Sequence, residues 1–254
     1  MSLSGALRVN PLCYLSNVKQ STKQGLVILN QEIVACQACP RLARYIREVA
    51  VIKRRAYRDE DYWGKPVPSF GDPAARVLIV GLAPGAHGAN RTGRPFTGDR
   101  SGDYLYRALH RAGFASQAES RSADDGLTLR DVRITSAAHC APPNNKPEPA
   151  ELRQCRSFLD RELALLPRLQ VVVVLGKIAF DAWKAVMRDQ GKDVRAWQFG
   201  HAVTLPGTPT VVCSYHPSQQ NTSTGRLTEA MLDDVFSRVR GIIQSAPDPA
   251  APHP

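Results

Sequence analysis

The sequence lacks the long apolar segments that mark membrane-spanning and secreted chains. Its longest clean apolar run is residues 171–175, far short of the roughly 20 residues that a membrane-spanning helix needs. The first 20 residues contain no continuous apolar segment of the kind found in a secretory signal. Aromatic residues are few, at 7%, but 43% of the 254 residues are hydrophobic, enough for a conventional core. We therefore expect a cytoplasmic globular protein with no membrane contact.

The chain also lacks the common fingerprints of nucleotide binding. A glycine-rich segment at residues 81–99 is followed by no Gly-Lys-Ser/Thr, and it does not have the GxGxxG spacing of dinucleotide-binding proteins. Its glycines still permit close backbone approach to a ligand and expose amides that can hold an oxyanion. We detect no internal repeat and no linker that would separate two domains.

Negative charge is in short supply. The chain has 33 Lys and Arg against 23 Asp and Glu, which gives a net charge of +10. A basic surface attracts polyanions and gains free energy from counterion release on nucleic acid, although the same charge could serve only solubility. Basic residues cluster between Arg41 and Arg58, and Arg91, Arg94 and Arg100 lie within or beside the glycine-rich segment. This distribution favours a nucleic-acid partner.

Short β-rich runs alternate with helical patterns along the chain. The patterns predict strands at 76–81, 132–135, 171–175 and 210–213, and helices at 25–35, 41–49, 101–112, 148–166, 176–187 and 227–243. Such alternation is typical of a parallel sheet covered by helices on both faces, with ligands at the carboxyl ends of the strands. We expect an extension at residues 1–24, one domain at 25–243 and a disordered tail at 244–254.

Six cysteines are present, and their spacing divides them. Cys36 and Cys39 form a Cys-x-x-Cys pair, and Cys140 and Cys155 form a looser second pair. Four thiolates can hold structural zinc or an iron-sulfur cluster, and ligand chemistry alone does not choose between them. All four could also be ordinary thiols. Cys213 lies in an apolar run and is expected to be a small core residue.

Three polar segments follow predicted strands, and together with the cysteines they resemble one known family. The segments are GLAPGAHGANRTGRPFTGD at 81–99, HCAPPNNKP at 139–147 and HPSQQN at 216–221. In these motifs the chain resembles the uracil-DNA glycosylase superfamily, and most closely its family 5, over residues 25–243. The resemblance implies a three-layer α/β/α sandwich with a short, mostly parallel sheet. It also implies a monomer with a structural 4Fe-4S cluster on Cys36, Cys39, Cys140 and Cys155.

The resemblance further implies a reaction and its residues. The enzyme would flip uracil, or another deaminated or etheno base such as hypoxanthine, out of DNA and hydrolyse its N-glycosidic bond. His216 would donate a hydrogen bond to the base as negative charge develops, and Phe96 would stack on the flipped base. The other implied substrate-binding residues are Gly81, Ala83, Pro84, Gly85, His87, Ser136 and Ser218.

The chain departs from the other branches of the superfamily at the position that usually carries a polar residue able to hold the attacking water. That position is Ala83. Candidates for the missing role are Asn90, Asp99 and Asn145, although Asp99 could instead cap the helix that follows it. The strand-end position where other branches read the base with Asn is Ser136, which fits a broader range of substrates.

Contacts with DNA are expected from two segments. Residues 219–226 would enter the duplex where the base has left, and Arg54 and Arg55 would bind phosphates, unless they form only a solvated basic face. The DNA-binding candidates are thus Arg54, Arg55, Gln219, Gln220, Asn221 and Arg226. Two other functions stay open at this point: a binder of damaged DNA without catalysis, and a zinc-stabilised hydrolase of nucleotides or nucleosides.

Overall fold

A computed structural model of the chain describes residues 11–245, with side chains from residue 21 onward. Most of the tail predicted at 244–254 lies outside the described residues, as does the first part of the predicted extension. The first helix, α1, extends from Pro11 to Ala35 and so begins 14 residues before the predicted start at Gly25. Residues 12–24 contain neither glycine nor proline, and a proline is tolerated in the first turn of a helix. Residues 11–24 are therefore helical despite their weak apolar periodicity.

Six strands form one sheet in the order β1-β3-β2-β4-β6-β5. The central four are parallel and are the four that the sequence predicts: β2 (Val77–Gly81), β3 (Val132–Ser136), β4 (Val171–Leu175) and β6 (Thr210–Ser214). The edge strands β1 (Phe70–Gly71) and β5 (Thr204–Leu205) pair antiparallel with their neighbours. They are absent from the prediction because two residues are too short to show an alternating pattern.

Seven further α-helices follow in the described residues, besides short 3-10 helices at Arg55–Tyr57 and Pro143–Asn145: α2 (Pro40–Ile52), α3 (Ala89–Thr92), α4 (Arg100–Arg111), α5 (Pro149–Ala164), α6 (Lys177–Asp189), α7 (Gln219–Ser223) and α8 (Glu229–Ser245). Five of them match predicted helices to within a few residues. The short helices α3 and α7 were not predicted. Helix α7 occupies the start of segment 219–226, which the sequence analysis assigns to DNA contact.

Each face of the sheet carries its own hydrophobic core. Alternate residues of β2 point to opposite faces: Val77 and Ile79 pack with α4 and α8, whereas Leu78 and Val80 pack with α6 and with part of α5. Cys213 is fully buried in the second core, as expected for a small hydrophobic residue. The two cores confirm the three-layer α/β/α sandwich.

The parallel register brings the carboxyl ends of the central strands to one edge of the sheet. Gly81 at the end of β2 is paired with Ser136 at the end of β3, and Leu175 of β4 with Ser214 of β6. The chain passes from β2 to β3 on one side, while β4 lies on the other side of β2. A crevice for a ligand is expected where the winding direction changes in this way. All three polar segments singled out in the sequence begin at this edge.

Candidate active site

Gly81 and the ring of Phe96 are in direct contact at the carboxyl edge of the sheet. A Cβ atom placed on Gly81 would lie 3.0 Å from Cε2 and Cζ of Phe96, so the ring lies directly against this backbone. The same Cβ position is 3.7 Å from Oγ of Ser136. The Phe96 ring is also 5.8 Å, centroid to centroid, from the ring of His216, with 32° between the two planes. The structure thus brings together four of the predicted site residues from three segments of the chain.

His216 is held in place through its backbone. Nδ2 of Asn221 donates a 2.8 Å hydrogen bond to the carbonyl oxygen of His216. Gly176, with φ +94°, leaves room for the histidine, because a Cβ there would lie 3.2 Å from Cβ of His216. Loss of solvent around the imidazole lowers the pKa of His216 to about 4. The side chain is therefore neutral at pH 7 and can donate a hydrogen bond from one ring nitrogen.

Asp99 caps helix α4 and also faces the glycine-rich loop. Its Oδ1 accepts a 3.0 Å hydrogen bond from the backbone nitrogen of Gly102, as the capping interpretation predicted. Its Oδ2 lies so close to Gly85 and Gly88 that a Cβ atom on Gly88 would collide with it. Burial raises the pKa of this carboxyl, and the amides of Gly102 and Ser101 only partly offset that effect. Capping uses one oxygen and leaves the other beside the loop.

The segment that carries Phe96 is fixed by a buried ion pair. Arg94 is 2% exposed, and its Nη2 lies 2.6 Å from Oδ2 of Asp125. Arg94 also donates to Oγ1 of Thr97 at 3.0 Å and to Oγ of Ser120 at 2.7 Å. Phe96 has a φ of +51°, a strained region for a bulky residue that such surrounding contacts can maintain. No pattern in the sequence marks this anchoring role of Arg94.

Arg91 has a similar internal role. Its guanidinium donates to the carbonyl oxygens of His87 and Gly98 at 2.9 and 2.8 Å, forms an ion pair with Glu60, and lies 3.9 Å from the centre of the Tyr57 ring. The expectation that Arg91 and Arg94 belong to an exposed basic surface is therefore wrong. Both are buried with internal partners: Arg91 binds carbonyls of its own loop and the carboxylate of Glu60, and Arg94 binds two hydroxyls and the carboxylate of Asp125. Of the three arginines noted in this segment, only Arg100 is exposed.

His87 is oriented by Tyr62. The hydroxyl of Tyr62 accepts a 3.3 Å hydrogen bond from the backbone nitrogen of Arg54 and lies 3.0 Å from Nδ1 of His87. Burial lowers the pKa of His87, and the nearby charges of Arg54 and Arg91 lower it further. Tyr62 can then donate its hydroxyl hydrogen to Nδ1 of the neutral His87 ring. The single ring proton of His87 is then on Nε2.

The two asparagine candidates lie in different surroundings. Asn90 is fully buried, and its Nδ2 points to the carbonyl oxygens of Ile46 and Ala86, each at 3.4 Å. Asn145 is exposed at the tip of the loop after β3, in the left-handed region with φ +55°. Asn90 thus connects α3 with α2 inside the protein, whereas Asn145 is accessible to a ligand.

The remaining predicted residues divide between support and exposed surface. Ser218 caps α7 by accepting from the backbone nitrogen of Asn221, and Asn221 supports His216, so both side chains are engaged within the protein. In the glycine-rich loop, Pro84 is buried, whereas Ala83 and Gly85 are partly exposed. Exposed side chains are found at Arg54, Arg55, Gln219, Gln220 and Arg226.

The four paired cysteines line a single, largely apolar cavity together with Leu42, His139 and Phe158, among others. All four are free thiols. Burial raises the pKa of Cys140 and of Cys155 to about 12, and the neighbouring cysteines add to the effect. Among the described residues, no three His, Cys, Asp or Glu side chains are arranged as a site for a metal ion. The cavity nevertheless brings Cys36 and Cys39 beside Cys140 and Cys155, about a hundred residues away in sequence.

An ion pair and a hydrogen bond connect the walls of this cavity. Nη2 of Arg41, at the start of α2, lies 2.7 Å from Oε2 of Glu151 in α5. The backbone nitrogen of His139 donates to Sγ of Cys155 at 3.3 Å. The segments that carry the four thiols are therefore connected by an ion pair and by a backbone hydrogen bond to one of the thiols.

No helix in residues 11–245 is long and apolar enough to cross a membrane.

Residues 68–240 match the family model of the uracil DNA glycosylase superfamily. The chain belongs to this superfamily. It is 50% identical over 210 residues to a type-5 uracil-DNA glycosylase of Thermus thermophilus, which covers 83% of this chain and 94% of the relative. A type-5 enzyme of Mycobacterium leprae is 52% identical over 82% of this chain and 91% of its own length. A type-4 uracil-DNA glycosylase of Archaeoglobus fulgidus is 32% identical over 60% of this chain and 70% of its own length. The resemblance found in the sequence motifs is confirmed.

Proposed function

We propose that this uracil-DNA glycosylase superfamily member is a DNA repair enzyme that flips uracil out of DNA and hydrolyses its N-glycosidic bond, leaving an abasic site. The observation that carries the proposal is the pairing of a neutral histidine, His216, with the ring of Phe96 over the bare backbone of Gly81. A flat apolar floor beside a hydrogen-bond donor suits a planar base that acquires negative charge.

His216 supplies the hydrogen bond that strengthens as the bond breaks. Cleavage of the glycosidic bond leaves an oxocarbenium-like sugar and an anionic base. A donor placed at the uracil O2 would stabilise that charge in a site from which water is excluded. Because the pKa of His216 is about 4, the donor is a neutral imidazole. The neutral imidazole does not have to be deprotonated before the reaction, and it carries no extra proton that could be transferred to the substrate.

Phe96 and Ser136 would shape the pocket without restricting it to a single kind of base. The Phe96 ring provides a stacking surface for any flat heterocycle. Ser136, at the end of β3, offers a small hydroxyl that can both donate and accept a hydrogen bond. This combination supports a range of substrates that includes hypoxanthine and etheno bases as well as uracil.

Asp99 is our candidate for positioning the attacking water. Its Oδ2 lies beside Gly85 and Gly88 and is not needed for the capping bond that Oδ1 makes. A carboxylate there can accept a proton from water and stabilise the positive sugar, and a raised pKa makes it a better base. This role would replace the polar side chain that is missing at Ala83. Asn145, exposed on the adjoining loop after β3, is a second polar group for the same water.

A 4Fe-4S cluster fits the cysteine cavity. Such a cluster takes one thiolate for each of its four irons, so its ligands surround a volume instead of converging on a point. Cys36, Cys39, Cys140 and Cys155 line one apolar cavity and are free. When bound, the cluster would supply a covalent link between the start of α2, the loop after β3 and α5. We assign it a structural role, with no part in bond cleavage.

The DNA surface is assigned to exposed side chains around the crevice. Arg54 and Arg55 would bind phosphates on one side, and Gln219, Gln220 and Arg226 would contact the strand on the other. Ser218 and Asn221, by contrast, would act by holding α7 and His216 in place. We expect one monomer to bind one lesion.

The proposal is tested by incubating the purified chain with duplexes that contain one uracil, one hypoxanthine or one thymine mismatch. Release of free uracil with turnover is the expected result. Stoichiometric binding of the uracil duplex without base release would instead identify a damage-binding protein. Release from free nucleosides or nucleotides, with none from DNA, would identify a nucleoside or nucleotide hydrolase.

A further inference from the structure

The end of helix α2 exposes two adjacent large apolar side chains. Val51 is 82% exposed and Ile52 is 79% exposed, whereas the other exposed large hydrophobic residues described, Val27, Ile28 and Ile178, reach at most 43%. Single exposed apolar residues are common on protein surfaces, but an adjacent pair at a projecting corner costs hydration free energy unless a partner covers it.

The corner borders the candidate active site. Lys53, with φ +54°, ends the helix and turns the chain immediately after Ile52. The next residue, Arg54, donates from its backbone to the hydroxyl of Tyr62, which in turn contacts His87 in the glycine-rich loop. Two hydrogen bonds therefore connect this corner to the loop that lines the crevice.

The charge around the corner identifies the kind of partner. Exposed arginines lie along α2 and in the turn that follows, at Arg44, Arg47, Arg54, Arg55 and Arg58, and the exposed carboxylates Glu48, Asp59 and Asp61 lie among them. None of these arginine side chains forms an ion pair with another described residue, unlike those of Arg91 and Arg94. The arginines outnumber these carboxylates, and an excess of positive charge beside an apolar pair complements a polyanion that also presents apolar surface.

We propose that Val51 and Ile52 form an apolar wedge that packs against the sugars and base edges of duplex DNA beside the flipped nucleotide. This inference rests on the proposed glycosylase function. Apolar wedges of this type let proteins unstack and bend a duplex, and extrusion of a base needs that deformation. The arginines on either side hold the phosphates and so fix the position of the wedge. The new assignment is the apolar pair, which carries no charge and which the sequence motifs did not mark.

The test compares two double variants by their affinity for a duplex that contains a stable abasic-site analogue. Val51→Ser with Ile52→Ser removes the wedge, and Val27→Ser with Ile28→Ser is the matched control on helix α1. We expect the first variant to bind the duplex about 10-fold more weakly and the control to bind like wild type. Thermal unfolding should be unchanged in the wedge variant because both side chains are exposed.

Salt dependence and strand type separate the wedge from the phosphate contacts. Loss of Val51 and Ile52 should leave the slope of log Kd against log salt unchanged, whereas Arg54→Ala with Arg55→Ala should reduce it by up to about 2. Affinity for a single-stranded oligonucleotide, which offers no stacked duplex, should change less than about 2-fold in the wedge variant. Wild-type affinity of that variant for the duplex would overturn the inference and point to a protein partner at this corner. An equal loss on both strand types would also overturn it.

Base release by the wild-type chain is measured separately. If the wild-type chain releases uracil and the wedge variant binds the duplex normally, the wedge assignment is wrong and the glycosylase function is supported. If no uracil is released but the variant loses duplex affinity, the wedge stands and the glycosylase function fails. Absence of duplex binding by the wild-type chain would overturn the wedge directly.

Discussion

The rings of Phe96 and His216 lie 5.8 Å apart and only 32° from parallel, although 119 residues separate them in the chain. Each ring is held in place by a different set of contacts. Phe96 depends on the buried Arg94 and its partners, and His216 on Asn221 and the free space at Gly176. The pair places a stacking surface next to a hydrogen-bond donor, and the predictions below follow from that arrangement.

Gly81→Ala should impair base release, since the new methyl group would lie 3.0 Å from two ring atoms of Phe96. The ring must shift, and the floor of the pocket shifts with it. We expect kcat/KM for a uracil duplex to fall at least about 10-fold, because a misplaced pocket reduces stabilisation of the transition state. Gly241→Ala is the control, since a methyl group there meets nothing within 4 Å. Equal kinetics in the two variants would show that the floor tolerates displacement.

Asp99→Asn separates capping from catalysis. Asparagine is as good a helix cap as aspartate, so the melting temperature should change by less than about 2 °C. Loss of the carboxylate beside Gly85 and Gly88 should nevertheless lower the single-turnover rate of uracil release about 100-fold. Asp99→Ala should lose both the rate and about 1 kcal/mol of stability. If Asp99→Asn retains the wild-type rate, the carboxylate is only a cap.

Asp125→Asn should destabilise the protein in a pH-dependent way. The guanidinium of Arg94 and the amides of Leu127 and Arg121 together outweigh burial and lower the pKa of Asp125. A lowered pKa in the folded state contributes stability above the ordinary aspartate pKa, and this contribution is lost as the pH falls below about 4.

Urea unfolding at pH 7 and pH 3 measures this effect. We expect wild type to exceed Asp125→Asn by about 3 kcal/mol at pH 7, because the variant leaves the buried Arg94 without its countercharge. The difference should be clearly smaller at pH 3. A difference of the same size at both pH values would show that the Arg94–Asp125 contact does not depend on ionisation.

Cysteine substitution tests the cluster and separates it from zinc. Protein purified without oxygen should contain about four irons and four sulfides per chain. Cys140→Ser should lose most of this iron and sulfide and melt at a lower temperature, whereas Cys213→Ala, outside the cavity, should keep its iron. Zinc in place of iron and sulfide would contradict the cluster assignment.

Much of the fold could be predicted because its physical signals are local. The strands β2, β3, β4 and β6 are short buried runs rich in β-branched residues, and the intervening amphipathic helices define a parallel sheet. Parallel pairing then brings their carboxyl ends together. The convergence of Gly81, Phe96, Ser136 and His216 follows from this topology together with the three motifs.

Other features depend on tertiary contacts that carry no local pattern. In the sequence, Arg91 and Arg94 cannot be distinguished from exposed arginines. Their burial depends on the ion pairs with Glu60 and Asp125, which lie elsewhere in the chain. Asn90 lies in the same motif as Gly81 and Phe96 of the proposed pocket, yet its amide turns towards Ile46 in α2. Val51 and Ile52 look like the apolar face of an amphipathic helix, and their exposure depends on where α2 ends. Such features depend on residues that are distant in sequence but close together in the fold.

The central claim is that His216 stabilises the departing base, and its most direct test is the single-turnover rate of uracil release by His216→Ala at saturating enzyme. A donor that acts in the transition state should reduce the rate by about 100-fold to 1,000-fold when removed, while affinity for the uracil duplex changes only slightly. The rate for wild type should show no protonation step near the ordinary histidine pKa, because the pKa of His216 is about 4. An unchanged single-turnover rate in His216→Ala would contradict the account.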